Sequence, residues 1–408
     1  MIFFVVRFMM SNFILLLVKK MITVLRNVYW ALFCVLCIVE CVSCTQKDNV
    51  KEAKCTEITI SEIKDSVCFG NLFEEYKYIP LSNKDGYTIG EIYQVLISDE
   101  KIYISSDGVF CYDMKGNPLF RINEKGGMKS EILKGTSISI EDGILYLYDE
   151  RKRVIHKYNS QNGAFIENVS LPESVKEIYK IKGGFIAETF STTSDFYEGI
   201  ARFLIYDNSN FSDGPQKKYL SDDLYNFPIY GQVTFNNNSV YFSDYFNNKL
   251  FKIDANGCSL IYRINFKNFA PLSSSLINNM LKNNTVIADD NDYQYGLVDM
   301  YENQDYFVGN IQGNTRCIIV HDKKSNSNIA FKKISASSHQ ISPFKFNGTY
   351  NEFFVQTIPT EYIMMVKNVS GFGEILPVSH PDFENQRVLL NHADDDNPII
   401  ALYKFKKF

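Results

Sequence analysis

The chain has 408 residues, a formal net charge of −5, and 45% hydrophobic, 22% charged and 14% aromatic residues. It is too apolar and aromatic for a disordered chain, and too charged overall for a protein of many membrane spans. An acidic sum gives nucleic acid no electrostatic attraction, so no nucleic-acid partner is expected. The 32 Phe and 26 Tyr against one Trp favour strands over helices.

In chain order, two apolar blocks come first. One runs from Ile2 to Val18, interrupted by Arg7, and ends at Lys19-Lys20; the other runs from Val28 to Val39, behind Arg26. Each is short of the roughly 20 apolar residues that a membrane span needs. The second has the layout of a secretory signal: basic flank, apolar core, small residues. It ends in Cys41-Val42-Ser43-Cys44, followed by the polar run Thr45-Gln46-Lys47-Asp48-Asn49. This segment resembles a bacterial lipoprotein signal. The resemblance implies a signal peptide over residues 1–43, cleavage before Cys44 and a lipid on that cysteine. It thus implies a membrane partner through the anchor, and a place in the cell envelope, on the outer membrane or the periplasmic face. Cys41 stands where that family usually has Leu, and Glu40 is a late charge in the apolar core. Simple secretion and a retained N-terminal anchor therefore stay open. Met21 begins a complete signal by itself, so residues 1–20 read as an upstream misreading of the start codon or as a second apolar segment. Residues 44–70, polar and rich in lysine and acids, read as a lipid-anchored linker, with the folded body over 71–408.

Removing residues 1–43 takes away Arg7, Lys19, Lys20 and Arg26 against Glu40, so the sum moves from −5 to −8. Of the nine cysteines, five lie beyond Cys44: Cys55, Cys68, Cys111, Cys258 and Cys317. An odd, scattered set is no disulfide framework; these are expected as buried small apolar residues. The C-x-x-C of Cys34 and Cys37 lies inside the signal core and reads as signal, not as a redox or zinc motif.

The body is organised by a repeat. An apolar strand ending in an Asp or Asn turn occurs at Val109–Asp113, Val154–Asn159, Phe203–Asp207, Leu250–Asp254 and Ile318–Asp322. The anchoring residues 113, 159, 207, 254 and 322 are spaced by 46, 48, 47 and 68. A second short strand recurs at Lys101–Ile104, Ile144–Leu147, Gly184–Ala187, Val240–Ser243, Asp305–Val308 and Glu352–Val355, and the last copy is expected to pair with Ile399–Phe405. Two β-rich runs joined by an Asp-x-x-Gly or Asn-Gly turn make a hairpin. A lone hairpin cannot bury its face, whereas four-stranded sheets repeated around an axis can. The period predicts an all-β fold: a six-bladed β-propeller of four-stranded antiparallel blades. Glu75–Leu81 is an extra strand before the first blade, expected to close the ring by pairing near the C-terminus. Helix candidates are confined to Leu276–Lys282 and Asp382–Asn391.

Tyr78-Ile-Pro-Leu81, Ile89-Gly-Glu-Ile92, Lys101–Ile104, Asp113-Met-Lys-Gly116 and Asp395-Asp-Asn-Pro-Ile-Ile-Ala-Leu-Tyr-Lys404 together resemble the six-bladed propeller lipoproteins of Bacteroidota, related in shape to NHL and TolB-type propellers. The likeness spans about residues 70–408. It implies an exported, membrane-tethered binding propeller, and brings no catalytic residue and no cofactor that can be carried over. Two stretches depart from the repeat, Ala270–Asn291 and the residues between Val355 and Ile399. Such inserts are expected on one face, where function often sits.

Candidate chemistry is sparse. Asp289-Asp-Asn-Asp292-Tyr-Gln-Tyr-Gly296 has the oxygen density of a calcium loop, but Tyr295 stands at the glycine place and the twelfth-position Glu is missing; a solvated loop is the plainer reading. Asp394–Asp396 reads as an acidic turn. His156, His321, His339, His380 and His392 are spread singly, without zinc spacing; His156 and His321 fall at similar places before their turns and read as strand surface. Ser61-Glu-Ile-Lys64 has S-x-x-K spacing without the companion motifs. Neither a catalytic residue nor a metal site is assigned. Tyr293, Tyr295 and Phe383 stand in the inserts as stacking platforms for a glycan or as loop packing. The function expected is a non-enzymatic binding or scaffolding module for a glycan, peptide or envelope-protein partner, with its ligand at the axis or on the insert face. Two alternatives stay open: a carbohydrate lyase or hydrolase with an axial acid and base, and a sensor or docking subunit of an envelope complex.

Overall fold

The computed structural model describes residues 55–122, 135–172, 174–189, 203–207, 211, 214–215, 217–219, 233–236, 239–243, 246, 248–254, 256–270, 272–273, 275–277, 293–369 and 372–408. The chain divides after Asn49, and all of these belong to the unit Val50–Phe408. The signal, Cys44 and the Asp289–Asp292 cluster lie outside the described residues.

Three strands precede the repeats: β1 (Thr56–Ile60), β2 (Lys64–Cys68) and, after a one-turn helix α1 (Phe69–Leu72), β3 (Phe73–Pro80). Blade 1 is β4 (Gln94–Ser98), β5 (Lys101–Ser105), β6 (Val109–Asp113) and β7 (Pro118–Ile122). Blade 2 is β8 (Gly135–Glu141), β9 (Ile144–Asp149), β10 (Val154–Asn159) and β11 (Phe165–Ser170). Blade 3 is β12 (Val175–Ile181), β13 (Gly184–Thr189), β14 (Phe203–Asp207) and β15 (Lys217–Tyr219). Blade 4 is β16 (Val233–Asn236), β17 (Ser239–Ser243), β18 (Lys249–Asp254) and β19 (Gly257–Phe266). Blade 5 is β20 (Leu297–Glu302), β21 (Tyr306–Ile311), β22 (Cys317–Asp322) and β23 (Ser327–Ser335). Blade 6 starts with β24 (Gly348–Tyr350) and β25 (Phe353–Ile358), passes through helices α2 (Thr360–Val369) and α3 (Phe383–Asn391), and resumes with β26 (Ile399–Phe405). The order β24-β25-β26-β3 makes the N-terminal strand the fourth strand of the last blade.

The expected architecture is present: six sheets form a six-bladed propeller. The first strand of each blade lies toward the axis: β4 abuts β8 and β24, β8 abuts β12, and β20 abuts β16 and β24. Closure is the antiparallel pairing of β3 with β26, from Phe73↔Phe405 to Pro80↔Ile399. Two sheets have five strands rather than four, because β1 adds in parallel to β19 and β2 in parallel to β23. The end of the stretch read as linker is therefore strand, and residues 56–80 lie in turn along the outer edges of blades 4, 5 and 6.

The core consists of wedges between neighbouring blades, six in all. Tyr103, Cys111 and Ile122 of blade 1 meet Ile138, Leu147 and Tyr158 of blade 2. Ile79, Val355, Ile400 and Leu402 of blade 6 meet Val95, Ile104, Phe110 and Tyr112 of blade 1. The wedge between blades 5 and 6 is the widest: Val308, Val320 and Phe331 meet Phe354, Tyr403 and Phe405, and the insert adds Ile363, Phe372 and Leu389. Strands with a blade on either side are buried on both faces, so β5 and β6 are apolar almost throughout. Outer strands such as β11 are mostly exposed.

The Asp turns close their hairpins with the side chain itself. Asp113 Oδ1 accepts the amides of Lys115 and Asn117, each at 2.8 Å. Asp322 Oδ1 does the same for Lys324 and Ser325, at 2.8 and 3.1 Å. Gly116 carries φ +81°, and a Cβ there would lie 1.9 Å from the Pro80 carbonyl oxygen. The blade 1 turn thus packs directly on the closing strand.

Several expectations differ in detail. Ile89–Ile92 forms the loop that leads into β4 of blade 1. Helix α3 falls where Asp382–Asn391 was expected, but α2 was not foreseen. The second insert lies inside blade 6, between β25 and β26, and not between blades. Most of Leu276–Lys282 lies outside the described residues.

These contacts rank three substitutions, read by urea unfolding. Phe354→Ala is expected to destabilise by about 3–5 kcal/mol, the usual range for emptying a buried aromatic site. Gly116→Ala forces both a clash and a strained φ and is expected to lose more than about 1 kcal/mol. Leu119→Ala, at a side chain 44% exposed on β7, is expected to stay within about 0.5 kcal/mol.

Candidate binding pocket at the closure seam

The loop from β3 to β4, the loop from β23 to β24 and the blade 6 insert converge on one face, above the junction of blades 6 and 1. Asn397, only 2% exposed, organises this junction. Its Oδ1 accepts the Ile89 amide at 2.9 Å, and its Nδ2 donates to the carbonyls of Ser82 and Tyr87. One side chain from the last blade thereby satisfies three backbone groups of the first connecting loop. Arg121 holds the same loop from outside, donating to the Gly86 carbonyl at 2.8 Å and lying 5.5 Å from the centre of the Tyr87 ring.

The insert is fastened on its own side. The Thr360 hydroxyl donates to the Asp396 carbonyl at 2.8 Å, and His392 Nε2 lies 3.1 Å from the same hydroxyl. With the hydroxyl donating to Asp396, Nε2 carries the proton of the neutral ring. Gln386 reaches three backbone groups: it donates to the carbonyls of Phe372 and Glu374 and accepts the Leu376 amide, all at 2.8 Å.

Between these supports opens a cavity of about 940 Å³. That is within the range of small-molecule sites. Its wall includes Glu91, Glu361, Asp394, Asp395 and Asp396, with Lys345 as its one cationic side chain. Thr357 also lines it, and its hydroxyl has no hydrogen-bond partner among the described residues. Gly90 forms part of the rim; a Cβ there would meet only Ser106 Oγ at 3.6 Å and Asp107 Oδ2 at 4.0 Å, so the rim can take a larger side chain.

A second cavity of about 450 Å³ adjoins it above blades 5 and 6, sharing Phe344 and Lys345. Its charged lining is mainly basic: Arg316, Lys332, Lys333 and Lys345 against Asp299. Lys345 pairs with Asp299 at 3.2 Å and Lys332 with Asp65 at 2.8 Å. Phe344, 50% exposed, stands between the two cavities with its ring 5.3 Å from that of Tyr362.

Among the described residues, the axis shows less space. A cavity of about 190 Å³ is lined there by Gln94, Phe235, Asn236 and Thr349 among others, without a titratable acid or base in its lining. Thr349 donates across it to Asn236 Oδ1 at 2.8 Å. Room for a few waters, at about 30 Å³ each, does not match a ligand site. Among the described residues, the larger of the two openings is the one on the insert face.

The residues singled out from sequence fare unevenly. Asp394–Asp396 lines the larger cavity. His156 and His321 are strand residues, but at 0% and 2% exposure they are core, not surface. Tyr293 and Tyr295 are buried against Phe246, Ala270 and Leu272, which makes them packing residues rather than a glycan platform. Cys111, Cys258 and Cys317 are buried, whereas Cys68 is exposed and Cys55 half-buried. Ser61 and Lys64 are exposed. The fold joins histidines that are apart in sequence: His339 Nε2 lies 3.2 Å from Asp382 Oδ2, and the His380 ring packs edge-on against His339 at 5.8 Å. This contact ties the β23–β24 loop to the insert. Among the described residues, no group of three His, Cys, Asp or Glu side chains is placed to hold a metal, and no helix is long and apolar enough to cross a membrane. Asn397, Gly90 and Phe344 are not singled out as site residues by the sequence; Asn397 and Gly90 stand there only within the motifs Asp395–Lys404 and Ile89–Ile92.

Fold and cavity define the class: a six-bladed β-propeller with an open, charged pocket at its closure seam. The chain belongs to the family described as "Domain of unknown function (DUF4934)", which matches residues 55–404. Among solved structures, a Bacteroides fragilis NCTC 9343 protein described as exported is similar with a TM-score of 0.68 and 13% identity, over 86% of this chain and 100% of that one. At that identity the likeness concerns the fold. A DUF4221 family member from Bacteroides vulgatus ATCC 8482 gives 0.44 at 10% identity, over 82% and 97% of the two chains. Virginiamycin B lyase from Staphylococcus aureus gives 0.37 at 15%, over 64% and 75%. Neither score bears on function. No curated protein sequence matches the chain.

Burial pushes the pKa of His156, His321 and His392 below the usual imidazole value of 6.5, against the opposing pull of Asp149, Asp322 and Asp396. A depressed folded pKa means the unfolded chain binds the proton first, so the stability these rings contribute is present above about pH 6.5 and is lost as pH falls through the lowered values. The urea midpoint is expected to be lower at pH 5 than at pH 7.5. His156→Gln with His321→Gln is expected to flatten that difference.

Proposed function

We propose that this protein is an exported propeller, lipid-anchored through Cys44, that binds a ligand in the cavity at the seam of blades 6 and 1 and catalyses no reaction there. The observation that carries the binding role is the 940 Å³ opening itself, with walls from three separate chain segments held by Asn397, Arg121 and Thr360. Its walls offer carboxylates, amides and one lysine, groups that hold a ligand by charge and hydrogen bonds. The anchor is supported by the Ser43-Cys44 signal ending, and the first described strand begins twelve residues beyond that cysteine. A tether of that length reaches at most about 40 Å, which keeps the propeller close to the membrane.

Two experiments test the two halves separately. Mass spectrometry of the mature protein is expected to find an acylated N-terminal Cys44; an unmodified or different N-terminus removes the anchor. Glycan and peptide binding arrays, run on the mature protein and on Gly90→Phe, test the pocket. The bulky rim residue is expected to abolish the hits while leaving the melting temperature within about 2 °C, as for an exposed substitution of small effect. Hits that survive Gly90→Phe place the ligand elsewhere.

A further inference from the structure

The two adjoining cavities differ in charge, and the difference is not cancelled locally. Among the described residues, Glu91, Glu361, Asp394 and Asp395 form no ion pair, and neither Arg316 nor Lys333 does on the other side. Lys345, on the shared lip, is already neutralised by Asp299. The lip itself is aromatic, since Phe344 is half-exposed and lines both cavities. The Thr357 hydroxyl in the wall of the larger cavity is without a partner among the described residues. The two cavities together therefore offer carboxylates in the larger one, an exposed ring on the shared lip and an arginine fork in the smaller one. Carboxylates without an ion-pair partner favour an ammonium or guanidinium group, the ring favours an apolar or cationic side chain, and a guanidinium fork matches a carboxylate.

We propose that the ligand of this face is a short zwitterionic peptide, with its basic end in the larger cavity, an apolar side chain over Phe344 and its carboxylate at Arg316. The inference rests on the reading of the larger cavity as a ligand site and adds the ligand's chemical class. A neutral glycan would leave both sets of charges unmatched, and a polyamine would use only one of them. Each cavity separately fits simpler ions; their adjacency across one aromatic residue singles out a ligand with both charges and an apolar centre.

The test is calorimetric titration of the mature full-length protein with four probes: the free tripeptide Lys-Phe-Glu, its N-acetylated and amidated neutral analogue Gln-Phe-Gln, spermidine and maltohexaose. The free tripeptide is expected to bind at least about tenfold more tightly than the other three, a margin that one charge-assisted contact supplies. Raising the salt from 50 to 500 mM is expected to erase most of that margin, because exposed pairs are screened. Arg316→Gln and the double substitution Glu361→Gln with Asp395→Asn are each expected to weaken the tripeptide about tenfold and leave the neutral analogue unchanged. Equal binding of the neutral analogue, tighter binding of spermidine or maltohexaose, or no binding of the tripeptide overturns the proposal. So does a tripeptide affinity that neither charge variant alters. The Gly90→Phe variant separates this failure from a failure of the pocket: a neutral ligand blocked by Gly90→Phe leaves the pocket standing and removes only the peptide.

Discussion

The pairing of β3 with β26 is the contact on which the rest depends. A row of sheets around an axis buries five wedges by itself; the sixth forms only when the last blade returns to the first. Here the last blade has three strands of its own, and its fourth comes from the other end of the chain. The register from Phe73↔Phe405 to Pro80↔Ile399 satisfies an edge that would otherwise stay open. It also places Ile79 in the wedge against blade 1 and Phe73 in the wedge against blade 5. The closing strand does not act alone, since β1 and β2 lie on the outer edges of blades 4 and 5 just before it. Closure is spread over a 25-residue segment that runs around half of the ring, and local opening of the seam must peel strands from three blades.

The candidate site follows from the same closure. The chain leaves the closing strand at Leu81 and must travel inward to start blade 1, while blade 6 opens its central hairpin into a 40-residue insert. Both segments emerge at one junction, and the space between them is the larger cavity. Asn397 sits where they touch and ties the amide of Ile89 and the carbonyls of Ser82 and Tyr87 to the start of β26. The pocket is therefore shaped by residues more than 300 positions apart in sequence, held by the register of one pair of strands.

That separation explains what could and could not be read from the sequence. The second and third strands of each blade were legible, because they are sandwiched between neighbouring blades and appear as apolar runs: Lys101–Ser105 and Val109–Asp113 are buried nearly throughout. The turns were legible because their Asp side chains cap their own hairpins. First strands such as Val233–Asn236 alternate at the axis, and outer strands such as Phe165–Ser170 are half in solvent, so neither leaves a strong apolar signal. Thr360–Val369 was missed as a helix because its apolar residues divide between the core, through Ile363, and solvent, through Met365 and Val369. The strands at Thr56–Ile60 and Lys64–Cys68 read as linker in the sequence because an added edge strand needs backbone pairing more than apolar side chains. Asp394–Asp396 could be read only as a turn, since its neighbours Glu91 and Phe344 come from other blades.

A pocket built on the seam also ties occupancy to closure. The walls belong to blades 6 and 1, so the cavity exists only while β3 holds β26 and blade 6 packs on blade 1. A ligand that fills it binds the closed ring and not an opened one. By mass action it then adds RT ln(1 + [L]/Kd) to closure, about 2.7 kcal/mol at one hundred times Kd. Glu91, Glu361, Asp394 and Asp395 stand in these walls and form no ion pair among the described residues. A cationic group placed in the cavity would meet these carboxylates at the position where the ring is joined. These carboxylates are the groups through which a ligand of matching charge would strengthen the seam.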